Sequence, residues 1–185
     1  MNRCCSRLLK LVAVSVILAF ASASSAGAAF TANTPPSIAT VTSPSFTVQL
    51  TGAATAMTAA STLNQHNSGW KSGWSISVTG KPFTCQSGSC TVGAVLANSV
   101  SVSAAPTDAC DAGVTCTLAT NALSAYPIAV ALAATPPAAV KFYSVAATTG
   151  VGNQTVTIPW EVSVSSSAHS GQYASTWTIT LANSP

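Results

Sequence analysis

Charge is what this chain has least of. Its 185 residues include six Lys or Arg and three Asp or Glu, so charged side chains make up 5% of the whole. Nucleic-acid and anionic-lipid binding depend on clustered cations, and the sequence has no such cluster to offer. It also lacks any helix-period segment longer than a turn or two, which argues against a helical bundle or an α/β sheet. Beyond Phe20 there is no long hydrophobic run, whereas a bilayer-spanning helix takes about 20 apolar residues. The low charge does not signal disorder, because Val, Ile, Leu and aromatic residues recur with regular alternation.

The N-terminus has the pattern of a secretory leader. Arg3, Arg7 and Lys10 form a basic stretch, Leu11 to Phe20 an apolar core, and Ala21 to Ala29 a run of small residues offering cleavage after Ala28 or Ala29. Residues 1–29 are therefore expected to leave, taking Cys4 and Cys5 with them. The processed chain keeps Lys71, Lys81 and Lys141 against Asp108, Asp111 and Glu161, which balance. A neutral exported chain without an integral membrane segment must recognise partners by hydrogen bonds, stacking or backbone pairing.

Four cysteines remain in an oxidising space, an even number, and two local bridges, Cys85–Cys90 and Cys110–Cys116, are the natural pairing. The other two connectivities are allowed. A four-thiolate metal site needs closer spacings than these, so no metal or other cofactor is expected.

Residues 30–45, with Pro35, Pro36 and Pro44 among Ser and Thr, read as an extended lead-in to a single domain over 46–185. Within that domain Phe46–Leu50 alternates. Ala53–Leu63 fits either a strand or a short helix, and a strand is the better fit beside so much β pattern. Asn64–Gly73 is a turn-rich loop, and Trp74–Thr79 is a strand. Further strands are expected over Thr91–Leu96, Ser99–Ala104, Pro127–Leu132 and Val140–Phe142, with Pro106–Gly113 as a loop. Val156–Val164 alternates strictly, and Pro159 within it removes a ladder donor, which places it on an edge or at a bulge. Tyr173–Leu181 is the last strand, apolar on odd positions and threonine-rich on even ones, and it should close a sheet already built. Roughly eight to ten short strands at even spacing give an all-β sandwich with Greek-key or Ig-like connections.

No catalytic constellation stands out. His66 and His169 lie far apart in polar loops, Asp108 and Asp111 flank Cys110 with too few oxygen ligands nearby for calcium, and Glu161 falls on a strand's solvent face. The chain is not expected to be an enzyme. The tryptophans say more. Trp74, Trp160 and Trp177 fall on apolar faces and read first as core, while Trp70, in a Gly-flanked loop, is the one placed to stack on a sugar ring or a partner.

Gly73-Trp74-Ser-Ile76-Ser-Val78 and the terminal Tyr173-Ala-Ser-Thr-Trp177-Thr-Ile179 resemble the proximal and distal Trp-x-Leu motifs of the WxL cell-surface domain. The Ser68–Trp74 loop is similar to that family's glycine-rich approach to its proximal motif. Ile76 and Ile179 stand where the family has leucine, a change that keeps an apolar strand residue. The resemblance, over about residues 46–185, implies a secreted protein retained at the cell surface and held non-covalently on peptidoglycan or another wall polymer, or through other surface proteins. Which residues touch the wall does not follow from it; Trp70, Trp74, Tyr173 and Trp177 are the candidate binding residues, with the motif residues open to either a core or a binding role. The rival expectation is an assembly protein that pairs through its strand edges.

Overall fold

The computed structural model describes residues 11–18, 35–90 and 95–185. The basic leader residues, the cleavage stretch and the part of the Thr91–Leu96 strand before Val95 lie outside them. Alternation of β-branched and polar residues turns most of the rest into strand: β1 Leu11–Leu18, β2 Ser37–Val41, β3 Ser45–Gln49, β4 Thr55–His66, β5 Trp74–Gly80, β6 Thr84–Gly88, β7 Val95–Val102, β8 Thr107–Cys110, β9 Ile128–Val130, β10 Val140–Val145, β11 Gln154–Val164 and β12 Gly171–Ala182. Among the described residues no helix is long and apolar enough to cross a membrane.

The strands form two six-stranded sheets. One runs β10-β5-β12-β1-β3, with β6 continuing beside β12 where β5 leaves off. The other runs β2-β4-β11-β7-β9, with β8 beside β11 ahead of β7. Pairing is antiparallel except between β1 and β12. The two sheets pack face to face as a β-sandwich, as the spacing of short strands predicts. Among the described residues no strand is laddered to its neighbour in sequence, so every pairing there waits on a long-range closure, a slow topology to fold.

Several expectations need correction. Twelve strands are present among the described residues, more than the eight to ten expected. The extra ones come from segments with weak alternation. Ser37–Val41, read as lead-in, pairs with β4; Thr84–Gly88 and Thr107–Cys110, read as loops, pair with β12 and β11. The leader's apolar core, Leu11–Leu18, lies between β3 and β12 in this structure of the whole chain. The last strand is accordingly interior rather than terminal in its sheet. Ser99–Ala104 and the described end of Thr91–Leu96 form one strand, β7. Residues 53–63 take the strand alternative.

Pro159 sits in a central strand, not on an edge, and the β11 irregularity falls later, between Val162 and Val164. In a β-ladder a residue's N and O point to the same side. The Pro159 carbonyl accepts from Ser103 N at 3.0 Å, so its missing donor faces the gap where β8 has ended and β7 is handing over. There the ladder has no bond for Pro159 to break.

The core is a run of aromatic rings between the sheets. Trp160 from β11 meets Trp177 from β12 at 4.8 Å between ring centroids, Phe142 meets Trp160 at 5.6 Å, and Phe83 meets Trp177 edge-on at 6.4 Å. Around them Ile76, Val78, Val102, Val156, Ile158 and Val162 are fully buried. The small residues that dominate the composition let these rings approach. Gly80 faces Trp177 across the β5–β12 ladder, and a Cβ there would lie 2.7 Å from the indole Cδ1 and 2.8 Å from Leu132 Cδ2. Gly80→Ala should therefore overpack the core and cost about 1–3 kcal/mol. In urea unfolding this should appear as a lower midpoint with an unchanged m-value.

Candidate functional site

The residues the sequence singled out separate into core and surface. Trp74 and Trp177 are fully buried, and Tyr173 is 2% exposed. Of the core and binding roles open to these three candidate residues, their position is that of core side chains, facing inward between the two packed sheets. Their polar atoms are used internally as well. Trp74 Nε1 donates to Gly150 O at 3.0 Å, Trp177 Nε1 to Ser175 Oγ at 2.8 Å, and Tyr173 Oη to His169 O at 2.8 Å. Trp160 does likewise, donating to Ser61 Oγ at 2.7 Å. A buried indole N–H without a partner would be costly, and each of these has one.

The two motif segments come together, one on β5 and the other on β12. These strands are adjacent and antiparallel, with Ile179 opposite Val78 and Leu181 opposite Ile76. The motif pair is thus one patch of inner sheet.

Trp70 is different, being half-buried in the loop between β4 and β5. That loop is organised by Asn67, 1% exposed, whose Oδ1 accepts from Trp70 N at 2.7 Å and Gly69 N at 3.1 Å. Its Nδ2 donates to Gly150 O at 2.7 Å and Trp70 O at 3.1 Å. A second loop, before β11, is stitched to the first: Gly152 N donates to Asn67 O at 3.0 Å and Thr148 N to Lys71 O at 2.8 Å. Gly150, at φ +64°, passes so close to Trp74 that a Cβ would lie 2.7 Å from the indole nitrogen. Thr148 adopts φ +68°, a left-handed conformation that costs a β-branched residue of order 1–3 kcal/mol and is held by the stitching between the loops. The Trp70 indole N–H donates to Gly73 O at 2.9 Å. What this residue presents to solvent is π surface, and exposed Ser68, Lys71 and Ser72 surround it in sequence.

Sequence reading missed Asn67, Thr148 and Gly150. The signal for Asn67 was present in Asn67-Ser-Gly69, an arrangement in which an Asn side chain accepts from backbone two and three residues on. Nothing local marks Thr148, whose conformation depends on the other loop.

The acids hold structure together. Asp108 Oδ2 accepts from Ala119 N at 2.7 Å and Oδ1 from Tyr143 Oη at 3.3 Å. Asp111 accepts from Asn64 Nδ2 at 2.9 Å and Thr155 Oγ1 at 2.8 Å. Glu161 lies opposite Thr58 and Ser101, and both histidines are exposed. Among the described residues no three His, Cys, Asp or Glu side chains are grouped as metal ligands. Both local disulfides, Cys85–Cys90 and Cys110–Cys116, are formed, so this one of the allowed connectivities holds. Gln65 and Gln154 face each other across β4 and β11, both fully buried, and the Gln65 amide has no hydrogen-bond partner among the described residues.

No protein-family model and no curated protein matches the chain.

Burial, and then the Asp108 carboxylate beside it, push the Tyr143 phenol well above its ordinary value; burial also raises Tyr126, against the Asn121 hydrogen bond that lowers it. An unfolded phenol ionises at about pH 10, while the folded one keeps its proton. Above that pH the unfolded state binds fewer protons, so stability should be complete below pH ~10 and fall as pH rises past it. Thermal melts across the alkaline range should show this decline, and Tyr143→Phe should make it shallower.

Proposed function

We propose that this chain is a secreted, non-catalytic surface module of the WxL type, attached non-covalently to peptidoglycan or a related wall polymer. The observation that carries the reading is the pairing of its two Trp-x-Ile segments on adjacent strands of one inner sheet face. Motifs at opposite ends of the domain then have one physical reason to occur together, which supports the resemblance from which the location and wall attachment follow. The contact residue is Trp70, whose loop is held by Asn67 and whose indole N–H is already satisfied. Stacking on a sugar ring asks for that kind of rigid, half-exposed aromatic. With three lysines balanced by three acids after the leader, affinity does not come from ion pairing.

A second reading, assembly with another surface protein through strand edges, is favoured by one observation. The sheet bearing both motifs is completed by a strand from the leader segment.

Sedimentation with insoluble peptidoglycan sacculi tests the first reading. The wild-type protein should co-sediment equally at low and at several-hundred-millimolar salt. Trp70→Ala, which leaves the backbone bonds to Asn67 in place, should stay folded and bind roughly two- to tenfold more weakly, the loss of one aromatic contact of about 0.5–1.5 kcal/mol. Protein left in the supernatant rules direct wall binding out, and stripping by salt rules out recognition by stacking and hydrogen bonds.

A further inference from the structure

The seat of β1 is defined on both sides by register. Position 14 stands opposite both Phe46 of β3 and Tyr173 of β12, position 12 opposite Val48, position 16 opposite Ser175 and position 18 opposite Trp177. β3 has no other ladder partner among the described residues. Phe46, Tyr173 and Trp177 are 1%, 2% and 0% exposed with the seat filled, so alternate register positions of the seat lie on the core side of the sheet.

We propose that, once residues 1–29 are removed, the seat between β3 and β12 is a strand acceptor. Its occupant is an uncharged extended segment of a different exported polypeptide, running parallel to β12 with apolar side chains at alternate positions. The proposal rests on the leader reading and deepens the assembly reading above.

Without an occupant, β3 and β12 stand two ladder spacings apart, about 9–10 Å, too far to bond each other, and each shows a row of open backbone donors and acceptors. The same gap uncovers the flanks of Phe46 and Tyr173. A strand parallel to β12 cannot come from a tight turn off β12 itself; it needs a long crossover or another chain.

Among the described strands a second copy has only β3 free, and β3 is itself a wall of the seat and, at 5 residues, shorter than the Gln172–Trp177 register. From β2 to β12, every strand except β3 keeps a partner within its own sheet. Ahead of β2, Pro35 and Pro36 lack backbone donors, leaving an uninterrupted run of 30–34, shorter than the Gln172–Trp177 register. The occupant's chemistry follows from the walls. Neither Ser45–Gln49 nor Gly171–Ala182 contains a charged residue, so a charge on the occupant's inward face would be buried without a partner. Strand addition of this kind draws affinity from main-chain bonds and specificity from alternate side chains.

The test uses the exported protein. Its intact mass first shows whether residues 11–18 have gone. Amide hydrogen exchange is then followed at Phe46–Val48 and Tyr173–Trp177, with and without a synthetic peptide of sequence Leu11–Leu18 flanked by lysines. A parallel run uses the Val14→Pro version of that peptide. The expected result is a processed monomer in which these amides exchange fast. The first peptide should slow them by at least about tenfold and the proline peptide should leave them unchanged. Four results overturn the proposal: residues 11–18 still present, the amides already protected in a monomer, protection arising from a homodimer, or no protection by the peptide. None of these readouts involves the wall, so failure of wall binding through Trp70 is scored separately.

Discussion

The contact between Trp160 and Trp177, at 4.8 Å between ring centroids, is the constraint on which the rest of this sandwich depends. One ring comes from each sheet, and each carries a second aromatic neighbour, Phe142 or Phe83. A chain built mostly of Ala, Ser, Thr, Val and Gly has few large side chains with which to fill the space between two sheets. Tryptophans supply that volume, but only if their N–H groups are bonded. Ser61 and Ser175 do this from within the strands, and Gly150 does it for Trp74 from a loop. The loops are thereby tied to the core: the Gly150 carbonyl bonded by Trp74 is also bonded by Asn67, which sets the position of Trp70.

This tie explains how one domain can spend three tryptophans on folding and hold a fourth at the surface. Asn67 consumes the backbone donors on its own loop and reaches across to the second loop, whose Thr148 is kept in a left-handed conformation. In the proposed stacking role, Trp70 on a loop held by these bonds would lose little freedom on binding, which favours affinity per contact. Asp108 and Asp111, bonded to a backbone amide, hydroxyls and an Asn side chain, serve the same framework.

The fold class was legible because period-two alternation is written along Phe46–Gln49, Trp74–Val78, Val156–Val164 and Tyr173–Leu181. The two local cysteine pairs were legible from their spacing. Three strands were not, because Ser37–Val41, Thr84–Gly88 and Thr107–Cys110 hold weak local patterns and become strands only when β4, β12 and β11 offer ladders. Pro159 misled for a related reason: a proline is excluded from a central strand only where a ladder bond is needed, and the handover from β8 to β7 removes that need. The motif tryptophans read first as core but a contact role stayed open, since alternation gives a face but not which face is covered. The packing of β5 and β12 against β11 decides it. Asn67 and Thr148 depend on two loops meeting and could not be weighed from either alone.

The motif tryptophans build the core, and the proposed surface recognition falls to Trp70. Indole N–H resonances of tryptophan-labelled protein, followed by NMR during titration with soluble peptidoglycan fragments, test it most directly. The account predicts slow solvent exchange for the Trp74, Trp160 and Trp177 indoles, with no shift on titration, and a shift at Trp70. Fast exchange at Trp74 or Trp177, together with a ligand-induced shift there and none at Trp70, would contradict it.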